Sequence, residues 1–272
     1  MPGVAPASWR GQVEDARREL LARAIALPAA LLVAWALVST GVGHALVRTF
    51  FSMWVHELGH AVAAWWSGYG AFPGPWRTPV AAQRMPLVGI ALAAALAALA
   101  WHGWRARRPA WIALSVAGLV AQLACTLLPA PSARALIIFG GDAGCMVLGA
   151  VLMATLWTDP EGRLGRGWLR WGFLAIGACA LVDALHTWIG AARDHGLIPL
   201  GEIEGVGLSD ASTLWRVHEW TLAALTGRYV ALGLACLAAL AVGYGLGLAR
   251  ARARLRDEEA AVAAPRRGQV RI

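Results

Sequence analysis

His56, Glu57 and His60 stand within the run FSMWVHELGHAVAAWWSG, giving the pattern H-E-x-x-H. Residues four apart lie on one face of a helix, so the two imidazoles can approach one tetrahedral zinc ion. Glu57 is displaced from His56 by about 100° around that helix, where its carboxylate can reach a water on the metal. Zinc lowers the pKa of such a water toward about 7, and a neighbouring carboxylate can take the proton. Random placement of 7 histidines and 9 glutamates in 272 residues gives only about 0.006 such patterns. The surroundings sharpen the signal. A charge at mid-membrane costs about 2.5–3.5 kcal/mol on insertion scales, so an apolar helix does not accumulate three ionisable groups without a use for them.

A zinc site needs a further protein ligand. Within the later apolar runs the choices are Asp142, Asp183 and His186. Asp142 sits in IIFGGDAGCMVLG, whose small residues allow close approach to the His56–His60 face, itself continued by Ser52, Ala63 and Ser67. Its alternative is a buried aspartate bonding a helix broken at Gly140-Gly141. Asp183 and His186 are three apart and read as an inter-helix polar pair, with a ligand role as the alternative. His44 and His102 fall near helix ends, and His195 and His218 fall in an acidic loop.

The elements that position these groups are membrane helices. The chain is 58% hydrophobic, with mean hydropathy +0.56 and only 15% charged residues. Its apolar runs repeatedly approach the roughly 20 residues that span a bilayer. The expected fold is all-α, a polytopic bundle of about seven transmembrane helices near 23–42, 44–66, 86–104, 109–130, 134–157, 168–190 and 224–249. Tryptophans at 65, 66, 101, 104, 111, 157 and 168 mark the headgroup belt. Residues 1–22 read as an amphipathic interfacial segment, 23–249 as the membrane domain and 250–272 as a basic, disordered tail.

Net charge is +8 and every basic residue is arginine, which fits a bacterial inner membrane; the positive connectors suit anionic lipid. No basic domain suggests nucleic-acid binding. The four cysteines lie in apolar runs without a C-x-x-C pair and read as buried apolar residues. Residues 67–85 are too rich in Gly and Pro to continue a helix, and residues 191–223 form the most acidic loop.

From Phe51 to Gly149 the sequence resembles the site-2 protease family of intramembrane zinc metalloproteases. HELGHAVAAWWSG, the Gly/Pro connector and Met85-Pro86-Leu87-Val88-Gly89 carry the likeness. The family's L-D-G corresponds best to Asp142 in Gly-Asp-Ala-Gly, while its N-x-x-P element and the asparagine after the connector are lacking. The resemblance implies one Zn2+ per chain on His56, His60 and Asp142, water activation by Glu57, and a connector that dips toward the site to hold an extended substrate. It also implies a membrane-protein substrate cut within or beside its transmembrane segment. Two alternatives stand beside this. One is a transporter or scaffold with a structural polar cluster. The other is a prenyl-protein type membrane protease, which needs a downstream E-x-x-x-D; Glu204 and Asp210 are six apart, and Glu219 has no aspartate four later.

Overall fold

A computed structural model describes residues 7–158, 162, 167–203 and 207–263. These residues form an all-α multi-pass bundle with two small hairpins. In order come α1 (Ala7–Val38), α2 (Gly41–Val47), a π-helical turn (Arg48–Ser52), α3 (Met53–Trp66), β1 (Tyr69–Ala71), β2 (Val80–Arg84), α4 (Pro86–Arg105), α5 (Pro109–Leu127), α6 (Ala130–Ala154), α7 (Leu169–Arg193), β3 (Glu202–Ile203), β4 (Gly207–Leu208), α8 (Asp210–Arg216) and α9 (Leu222–Ala263).

Among the described residues, six helices are long and apolar enough to cross a membrane: Val13–Val38, Pro86–Arg105, Pro109–Leu127, Ala130–Trp157, Leu169–Arg193 and Leu222–Ala261. The seventh expected span, 44–66, is helical but is built from α2, the π turn and α3 in succession. A π turn accommodates more residues than an α turn, and such turns concentrate at functional sites.

Both ends differ from the sequence expectation. The interfacial segment is not separate, because α1 runs unbroken from Ala7 into the first span. At the other end α9 continues past Arg250 to Ala263. ARARLRDEEAAVA is made largely of strong helix formers, and Arg17 pairs with Glu259 at 2.6 Å across the two extensions. The rest of the tail, 264–272, lies outside the described residues, as do 1–6 and, in the basic connector 163–170, residues 163–166.

The centre of the bundle is α3 against α6 and α6 against α7. Gly140 and Gly144 are one turn apart and face Gly59; a Cβ on Gly59 would collide with the Gly140 carbonyl oxygen and the Gly144 Cα. This is the small-residue crossing by which membrane helices approach closely. Behind it, Trp188 of α7 stacks on Tyr229 of α9 at 4.1 Å between centroids, and Tyr229 stacks on Phe139 at 4.3 Å. The connector 67–85 folds into the antiparallel β1–β2 hairpin, entered through Gly68 at φ +79°, a conformation that favours glycine. Cys145, Cys179 and Cys236 are buried, Cys125 is half-buried, and all four are free thiols.

Candidate metal centre

His56 and His60 are buried on α3, with their rings edge to face at 4.7 Å. Each Nδ1 is already committed. His56 Nδ1 lies 2.9 Å from Asp142 Oδ1, and His60 Nδ1 lies 2.7 Å from the Ile137 carbonyl oxygen. Donation from both Nδ1 atoms leaves the Nε2 lone pairs free, and these face each other at 3.2 Å. A ligand imidazole fixed through its second nitrogen by a carboxylate or carbonyl is the usual support of a metal-binding histidine.

The structure brings Asp210, and not Asp142, to this pair. Asp210 Oδ2 lies 3.0 Å from His56 Nε2 and 3.1 Å from His60 Nε2. It opens α8, whose N-cap Ser209 accepts a hydrogen bond from Ser212 N at 3.2 Å. Three acceptor atoms therefore form a triangle with edges of 3.0, 3.1 and 3.2 Å. Tetrahedral bonds of about 2.0–2.1 Å to zinc correspond to ligand–ligand edges of about 3.3–3.4 Å. The residues fit the ion, with an adjustment of a few tenths of an ångström. The loop carboxyl answers two opposing effects in the metal-free protein. Burial pushes Asp210 up, but where protons on the Nε2 atoms take the place of an ion, hydrogen bonds from His56 and His60 outweigh it and hold the group well below the usual carboxylate range.

Asp142 is engaged elsewhere. Its Oδ1 accepts from His56 and from Arg48 Nη1 at 3.0 Å, and its Oδ2 accepts from Trp188 Nε1 at 2.8 Å. That leaves it orienting His56 from the side away from the Nε2 pair. Cys145 completes a second grouping with His56 and Asp142, but it is fully buried with its Sγ 3.5 Å from the Ser52 carbonyl oxygen. Asp183 and His186 do not pair as expected. Asp183 turns to Arg48 (3.3 Å) and His44 (2.9 Å), while His186 packs edge-on against Trp35.

Glu57 is buried on the wall of the same cavity of about 570 Å³ that holds His56, His60 and Asp210. The Thr78 hydroxyl, from the β1–β2 connection, lies 2.8 Å from both Glu57 Oε2 and the Glu57 carbonyl oxygen. Its single proton can serve one of them at a time. Val80 of β2 and Leu208 of β4 also line the cavity, so both hairpins border it. Sequence reasoning missed Asp210, Arg48 and Thr78 as parts of this site. The run Leu208-Ser209-Asp210, an apolar residue followed by a cap and an acidic first turn, was the available signal for a packed helix there.

Compared with known proteins, the chain matches no family model, and no curated protein or solved structure shows detectable similarity to it.

Proposed function

We propose that the chain is a membrane-embedded zinc endopeptidase that cuts transmembrane or membrane-adjacent segments of other proteins, in the inner membrane of a bacterium. The observation that carries this reading is the convergence of His56 Nε2, His60 Nε2 and Asp210 Oδ2 in a cavity that Glu57 also lines. His56, His60 and Asp210 would hold one Zn2+. Bound there, zinc supplies Lewis acidity and brings the pKa of water toward about 7.

The remaining work falls to the chain's own groups. Glu57 accepts the proton of the attacking water and returns it to the departing amine nitrogen. Thr78 holds the Glu57 carboxylate by donating to Oε2. Asp142 and the Ile137 carbonyl keep both imidazoles turned with Nε2 toward the cavity. A peptide bond is cut only where its backbone is accessible, and non-helical backbone at membrane depth persists only inside protein or a watered cavity. A cavity bordered by two hairpins supplies that setting for a locally unwound substrate.

The test uses the purified full chain in vesicles with a panel of single-span membrane proteins. Wild type is expected to hold about one zinc per chain and to cleave at least one substrate, with Glu57→Gln keeping the zinc and losing the cleavage. Equal cleavage by Glu57→Gln removes the proposed proton acceptor, and a zinc-free wild type removes the metal centre.

A further inference from the structure

Beyond the ligands, a second set of charged groups runs from His56 into the bundle. Arg48 Nη1 lies 3.0 Å from Asp142 Oδ1 and 3.3 Å from Asp183 Oδ2, so one guanidinium joins two carboxylates from different helices. The Asp183 side chain has no exposed surface. Its other oxygen lies 2.9 Å from His44 Nε2, near enough for an ion pair but not aligned as a hydrogen bond. The π turn that begins at Arg48 joins α2 to the ligand-bearing α3.

We propose that Arg48 and Asp183 are positioning residues of the metal centre: Arg48, anchored by Asp183, fixes the Asp142 carboxylate that orients His56. This rests on the metal-centre reading above and deepens it. The charges explain why two carboxylates share one cation. Asp142, Asp183 and Arg48 together carry one net negative charge. A dication with two neutral imidazoles and the Asp210 carboxylate carries one net positive charge. The two clusters meet through the His56 ring, so the negative set faces the positive one inside a bundle where an uncompensated charge is costly, and the Glu57 carboxylate in the same cavity adds one more negative charge. Without Asp183, Arg48 is free to balance Asp142 completely, and the counter-charge seen by the metal is lost. Without Arg48, two buried carboxylates repel and Asp142 loses one of its three partners. Either change loosens His56 without touching a ligand atom. Outer groups of this kind are worth about 10–100-fold in metal affinity.

The experiment titrates zinc into the metal-stripped full chain in detergent, against a chromophoric chelator. It uses wild type, Asp183→Asn, Arg48→Met and Arg48→Lys, and records the visible spectrum of each with Co2+. Asp183→Asn and Arg48→Met are expected to bind one zinc at saturation with Kd raised about tenfold or more, and to shift the Co2+ bands. Arg48→Lys, which keeps the positive charge but on a shorter side chain with a compact ammonium in place of the guanidinium whose Nη1 meets both carboxylates, is expected to fall between wild type and Arg48→Met; it carries the test if Arg48→Met does not fold. A role confined to holding helices together lowers thermal stability while leaving Kd and the Co2+ spectrum as in wild type, and that result overturns the proposal. A wild type that binds no zinc instead overturns the metal-centre reading itself.

Discussion

The Asp210 carboxylate lies 3.1 Å from the Nε2 atom of His60, although the two residues belong to α8 and α3. In the proposed centre the ligand set is therefore closed by a connector and not by a membrane helix. α8 is only seven residues long, and its place depends on the Ser209 cap and on Ala211, Ser212 and Leu214, all buried. The proposed centre's completeness is thus coupled to the docking of one short loop helix.

Glu57 is expected to separate chemistry from metal binding. Glu57→Gln should reduce kcat by about 10²–10⁴-fold while leaving zinc content at the wild-type level. Thr78→Val removes one hydrogen bond to a charged group, worth about 1.5–3 kcal/mol, so a smaller fall of about 10–100-fold in kcat is expected. Steady-state cleavage and elemental analysis on the same preparations check both.

The glycines of the α3–α6 crossing should resist any side chain. A Cβ at Gly141 would sit 2.5 Å from His56 Cε1 and 2.7 Å from His60 Nε2. Gly141→Ala is therefore expected to weaken zinc binding directly. Gly59→Ala pushes the two helices apart and should cost about 1–3 kcal/mol of stability. Thermal unfolding in detergent together with zinc titration distinguishes the two effects.

Acid should reveal the loop carboxylate. Asp210 titrates lower in the folded chain than its unfolded value of about 3.9. Such a group stabilises the fold above the unfolded value and ceases to do so as pH falls through the folded one. In metal-free protein, the excess Tm of wild type over Asp210→Asn is expected to hold from about pH 6 to about pH 4 and to close below that. A gap that opens on acidification contradicts the assigned partners.

The sequence showed the HELGH face, the apolar spans and the broken connector, because these depend on local spacing and composition. It could not show which ring nitrogen of His56 meets which carboxylate. Asp142 does reach His56, but at Nδ1, and only the packing of α6 against α3 decides that side. Asp210 was hidden because an aspartate in an acidic loop has the composition of a solvated group. The 44–66 span read as one helix because RTFFS has nothing in its residue types that announces a π turn. The tail from Arg250 read as disordered from its charge, although its Ala, Leu, Arg and Glu are also the residues that extend α9.

The ligand assignment is tested most directly by zinc stoichiometry in two aspartate variants measured side by side. Asp210→Ala is expected to lose the bound ion, as are His56→Ala and His60→Ala. Asp142→Asn should still bind one zinc per chain at saturation, with affinity lowered about 10–100-fold. Full zinc occupancy and unchanged affinity in Asp210→Ala, with loss in Asp142→Asn, would contradict the account and return the third ligand to α6.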